Sequence, residues 1–168
     1  MQGIPNTLPS RISLGHTGTP GAVWRDGVPV FFLTVCAENR VTDPLLATAP
    51  SILDSARFYH KQGKWFLRLL LVMPDHIHLL VSFPGNASMA TTIGNWKRYL
   101  TCHEDIVWQP NFFDHRIRDA AELTEKWDYI LNNPVRKGLV DAVSQWQHRL
   151  AFDPSTGAEI ANPMPFIG

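Results

Sequence analysis

Two apolar runs with three residues between them constrain this chain most: Trp65 to Val72 and His76 to Phe83, separated by Met73-Pro74-Asp75. Each has strand length, and neither approaches the roughly 18 apolar residues that a membrane span needs. So short a spacer predicts an antiparallel hairpin. Upstream, Val30 to Ala37 (VFFLTVCA) is β-branched and aromatic, which predicts a buried strand. Ala49 to Gln62 carries Ile52, Leu53, Ala56 and Tyr59 at helical spacing and stops at Gly63. Ser88 to Thr101 predicts a second helix capped by Ser88, and Trp108 to Ile117 a short fourth strand at a sheet edge. Ala120 to Asn132 predicts a third helix, broken near Pro134, because proline lacks a donor and clashes one turn back. The order β-α-β-β-α-β plus a helix predicts an α+β, ferredoxin-like fold. One antiparallel sheet carries two helices on one face, and the added C-terminal helix is free to cover the other.

Length and composition suit a single domain with a proper core, at 168 residues, 45% hydrophobic and 18% charged. Residues 1–28, rich in Gly, Pro, Ser and Thr, read as an irregular arm; 29–150 read as the domain, and 151–168 as an irregular tail. Two lone cysteines without CxxC spacing, and no basic flank leading into an apolar leader, predict a cytoplasmic protein with no membrane partner. The formal net charge is zero, which does not by itself favour nucleic acid, since such binders draw affinity from a basic surplus. The stretches His115–Arg118 and Asn133–Lys137 are locally basic, while acids gather at Glu122, Glu125 and Asp128.

The chemistry begins at His76-Ile77-His78. On a strand, residues i and i+2 point to the same face, so both imidazoles project together and can share one divalent ion. Ile77, Leu79 and Val81 then face the two helices. A pair of hydrogen-bonded sheet histidines satisfies the same pattern. Tyr129 and Asn133 lie one helical turn apart, setting a phenol beside an amide oxygen able to serve as a third ligand. Tyr129 also suits a core position, and Asn133, just before Pro134, also suits a helix end.

Taken together, MPDHIHLLV (73–81), FFDHRIRD (112–119), YILNNPVRKGLV (129–140) and VFFLTVCAENR (30–40) resemble blocks of the REP-associated tyrosine transposases. These belong to the HUH single-tyrosine nucleases, and the likeness spans about residues 28–141. The resemblance implies metal ligands at His76 and His78, a nucleophile at Tyr129 on the added helix, and a third ligand at Asn133. It also implies Mg²⁺ or Mn²⁺ as cofactor and single-stranded or hairpin DNA as partner, hence a nucleoid-associated location in the cytoplasm. The expected reaction cuts and rejoins single-stranded DNA near hairpins through a 5′-phosphotyrosine.

Candidate phosphate contacts are Lys97, Arg98, Arg116, Arg118, Arg136 and Lys137. Trp96, Trp108, Phe112 and Phe113 are candidate platforms for unpaired bases, though alternation along a strand sends one of the two phenylalanines to the core. His115 is expected to order the FFDHR loop, and Asp75 to bond its own backbone, with help to the site as its alternative. Two rivals keep the fold: a catalytically silent hairpin-binding protein, and a hydrolase that uses water. Monomer and homodimer remain equally open.

Overall fold

The computed structural model describes residues 27–39 and 42–166. Most of the expected N-terminal arm lies outside these residues. The elements run β1 (Phe31–Cys36), α1 (Ala49–Lys61), β2 (Phe66–Val72), β3 (His76–Ser82), α2 (Met89–Glu104), β4 (Phe113–Arg116), α3 (Ala120–Arg136), a 3₁₀ turn (Val143–Gln145) and β5 (Arg149–Ala151). The five strands form one sheet in the order β4-β1-β3-β2-β5, and every neighbouring pair is antiparallel. The first four strands with α1 and α2 make the ferredoxin-like unit expected from the sequence.

Two apolar layers sandwich this sheet. On one face, Leu33, Val35, Leu70, Val72, Ile77, Leu79 and Val81 pack against Ile52 and Ala56 of α1 and Ile93, Trp96 and Leu100 of α2. On the other, Phe32, Leu69, Leu71 and Leu80 pack against Leu123, Ile130 and Leu131 of α3 and against Trp146. Burial of each such large apolar side chain contributes about 1.5–3 kcal/mol. A bulge between Leu67 and Leu69 shifts the phase of the alternation along β2. One extra residue in the strand puts Leu67 on the α1/α2 face and Leu69 on the α3 face.

Helix boundaries follow local chemistry. Gly63 takes φ +67 just beyond α1, and the Ser88 hydroxyl accepts from the Thr91 amide at 3.2 Å to open α2. Two expectations are corrected. Helix α2 runs to Glu104, past Thr101, and closes on Asp105 in the left-handed region at φ 58. Helix α3 passes through Pro134 to Arg136. Proline removes one amide so close to the helix end that later amides close the turn, Lys137 N–H to Asn133 O and Leu139 N–H to Pro134 O.

The fifth strand is the largest departure from the sequence reading. It pairs with β2 and crosses residue 150, where the domain was expected to end. Beyond it, Phe152 is buried, stacks on His60 with ring centroids 3.8 Å apart, and bridges to Glu159. Arg57 of α1 then grips both carboxylate oxygens of Glu159 at 2.8 and 2.9 Å. Substituting Phe152→Ala should therefore cost about 3–5 kcal/mol of unfolding free energy. Urea denaturation measures this, and an unchanged midpoint would mean that residues after 150 stand apart from the core.

Candidate active site

Strand β3 is buried along its whole length, and its even-numbered residues face α3. His76 and His78 are therefore side by side beneath that helix, 7% and 4% exposed, with their Nε2 atoms 3.1 Å apart. The outer ring nitrogens are held from behind. Nδ1 of His76 lies 2.7 Å from the Asp75 carboxylate, and Nδ1 of His78 lies 3.0 Å from the Thr34 hydroxyl. A carboxylate accepts from Nδ1–H, which leaves Nε2 of His76 as a bare lone pair; a threonine hydroxyl suits either tautomer of His78. This is the arrangement in which an outer partner orients an imidazole and raises its basicity toward a shared ligand. Burial drives the His78 pKa down to about 3, with lesser contributions from His76 and Arg136, so this ring is neutral at neutral pH.

Asp75 corrects the expectation that it serves its own backbone. Its carboxylate meets His76, while its main-chain carbonyl accepts from the Ala37 amide. The hairpin turn is thus fastened to the end of β1 at the point where the first histidine emerges. Thr34 is the residue opposite His78 in the β1–β3 register. Sequence reasoning missed it, although a hydroxyl within the apolar run VFFLTVCA was a visible signal.

Helix α3 carries the phenol to this pair. The Tyr129 ring meets His78 edge-on at 5.7 Å and Phe32 at 6.0 Å, and Phe32 in turn stacks on His78 at 5.3 Å. Tyr129 is 39% exposed, so its ring lies at the rim. Two cations flank it: the Arg136 guanidinium carbon lies 4.4 Å from the ring centroid, and the Lys126 ammonium 5.9 Å. Lys126, also missed from sequence, stands one turn before Tyr129 on the same helix face, and that i−3 spacing was the available signal. One turn after Tyr129, Asn133 is 1% exposed, and its side-chain oxygen is buried with no hydrogen-bond partner among the described residues. An orphaned buried acceptor is costly unless something supplies a positive partner.

The remaining candidates divide sharply. Lys97 is buried, and its ammonium donates to the carbonyls of Gln109 and Pro110; burial also pushes its pKa down. Arg98 donates to Asn95. Both sit on α2, across the sheet from the histidines, so the structure does not bring them to the site. Arg116 is exposed on edge strand β4, in register with Phe31, and Lys137 is exposed at the end of α3. Arg118 and His115 both bond the buried Glu122 carboxylate, at 2.7 and 2.8 Å. Burial alone would raise the Glu122 pKa, but Arg118 and His115 bring it below its ordinary value. His115 thus orders the FFDHR loop, as expected. Trp96 and Trp108 are buried and spend their indole N–H groups on Ser55 and Lys97 O. Of the two phenylalanines, Phe112 packs on the α1/α2 core and Phe113 is exposed on the histidine face.

A ferredoxin-like sheet with paired strand histidines, facing a tyrosine on a covering helix, is the arrangement that the motif resemblance implied. The chain is 32% identical over 120 residues to the REP-associated tyrosine transposase of Escherichia coli K12, covering 69% of this chain and 72% of that protein. It is 34% identical over 148 residues to a Haemophilus influenzae protein bearing the same family name, covering 78% and 84%. A solved structure, described as the REP-associated tyrosine transposase bound to a REP hairpin, matches with a TM-score of 0.65 and 27% identity. That match covers 72% of this chain and 75% of that one. No protein-family model matches. This chain belongs to the REP-associated tyrosine transposase family. Among the described residues, no helix is long and apolar enough to cross a membrane.

The buried histidines carry a consequence for stability. His78, and likewise His60 at about 4, is harder to protonate folded than unfolded. Their contribution is complete above the unfolded value near 6.5 and is lost as pH falls from there toward the folded values. Unfolding free energy from urea titrations should drop between pH 7 and pH 5, by up to about 1.4 kcal/mol per pH unit for each ring. A flat profile over that interval would contradict buried, neutral rings.

Proposed function

We propose that this protein is a metal-dependent single-tyrosine transposase that cleaves and rejoins single-stranded DNA beside hairpins. The supporting observation is the Tyr129 ring of α3 set against His78 of the β3 histidine pair, with Asn133 buried one helical turn further along α3. The donor set fits a hard divalent cation, Mg²⁺ or Mn²⁺. His76 and His78 would hold it through Nε2, and Asn133 through its side-chain oxygen, which otherwise lacks a partner. When bound, such an ion polarises the scissile phosphate and neutralises its charge.

The chain's own residues supply the rest. The Tyr129 hydroxyl loses its proton and its oxygen bonds to phosphorus, while the bond to the 3′ oxygen breaks and that oxygen leaves as a 3′-OH after taking up a proton. The resulting 5′-phosphotyrosine keeps the phosphodiester energy, so a second 3′-OH reverses the step and joins strands without a nucleotide cofactor. Arg136 and Lys126 beside the ring offset phosphate charge as the strand approaches. Phe32, packed edge-on against the ring, holds the phenol at the rim over His78. The contact of Tyr129 with His78 of its own chain supports a site assembled within one copy. The hairpin partner rests on the solved relative, whose description records a bound REP hairpin.

Incubation with Mn²⁺ and labelled single strands from palindromic repeats flanking the gene, followed by denaturing electrophoresis, tests the proposal. A covalent protein–DNA band should form and disappear with Tyr129→Phe and with chelator, while His76→Ala should reduce it at least 100-fold, on the order expected for loss of a metal-site group. Hairpin binding without any adduct would favour a silent binder. Cleavage surviving Tyr129→Phe would favour attack by water.

A further inference from the structure

Phe113 is 57% exposed on the site-facing side of β4, while its neighbour Phe112 is packed on the opposite side of the sheet. Scattered exposed apolar residues are ordinary, so exposure alone means little. Placement sets this one apart. Phe113 is in register with Thr34, whose hydroxyl supports His78, and its ring meets Phe32 edge-on at 6.2 Å and 71°. Phe32 is also the ring that stacks on His78 and abuts Tyr129. The Lys126 ammonium lies 5.6 Å from the centre of Phe32 and 5.9 Å from that of Tyr129. An aromatic face, a cation and the phenol thus follow one another across the rim of the site. Among the described residues, strand β4 is the sheet's edge.

We propose that Phe113 stacks against the unpaired base of the nucleotide beside the scissile phosphate, with Lys126 contacting the backbone between that base and Tyr129. The inference rests on the reading of the site as a nuclease for single-stranded DNA. A phenylalanine side chain has no hydrogen-bonding group to read a base edge, but every base has a π-face to offer it. Paired bases in a duplex hide those faces, so the platform selects for single strand and sets its register without reading sequence. The flanking cations complement the anionic backbone, whereas an apolar protein partner would have to desolvate them.

The test uses the full chain carrying Tyr129→Phe, which cannot form the adduct, bound to single strands with 2-aminopurine at successive positions around the cleavage site. Stacking quenches this base, so one position beside the scissile phosphate should be quenched, and adding Phe113→Ala should abolish that quenching. Phe113→Trp should restore it. On otherwise native protein, Phe113→Ala should slow adduct formation roughly 10-fold. That loss should vanish on a substrate that lacks the base at the quenched position. Binding without position-specific quenching, or quenching indifferent to Phe113→Ala, would overturn the proposal whether or not the protein cleaves. Absence of an adduct from otherwise native protein, with quenching intact, would instead count against the nuclease reading alone.

Discussion

The structure depends on the antiparallel pairing of β3 between β1 and β2. That position buries all seven residues of the strand and covers both of its faces. Imidazoles there are expensive unless each polar nitrogen meets a partner. The β1 register brings Thr34 opposite His78, and the hairpin turn brings the Asp75 carboxylate to His76. Both outer nitrogens are thereby occupied, and both Nε2 atoms turn toward one another. A slip of one residue would send the pair into the α1/α2 core and destroy this arrangement.

One face of helix α3 sets residues of different depth beside the histidines. Asn133 is sealed, Tyr129 is half open, and Lys126 and Arg136 lie over the tyrosine ring. In the proposed reaction the buried polar groups organise charge while Tyr129 meets the strand at the surface. The neutral total charge is compatible with this, because the cations near Tyr129 are concentrated at one rim. Elsewhere several charges pair within the chain, as where Arg118 and His115 converge on Glu122 or Arg57 grips Glu159.

Much of this was legible in the sequence. Alternation along HIHLLV separated the histidines from the residues that pack on α1 and α2, and the short MPD spacer required the hairpin. The i+4 spacing of Tyr129 and Asn133 survived Pro134 because the helix continues through it. What escaped depended on contacts between distant segments. Strand β5 is three residues long, too short for a periodic signal, and is ordered by pairing with β2. Lys97 reads as a surface cation, yet a loop more than ten residues later supplies the carbonyls that bury it. Asp75 looks like a turn residue until the fold brings β1 to its carbonyl and frees its carboxylate for His76.

The central claim is that His76, His78 and the buried Asn133 oxygen form one divalent-ion site, and Mn²⁺ titration followed by electron paramagnetic resonance tests it most directly. One Mn²⁺ should bind per chain, with affinity falling at least 10-fold in both His78→Ala and Asn133→Ala, on the scale of losing a ligand or its close support. Binding by Asn133→Ala indistinguishable from wild type, or no stoichiometric binding at all, would contradict it.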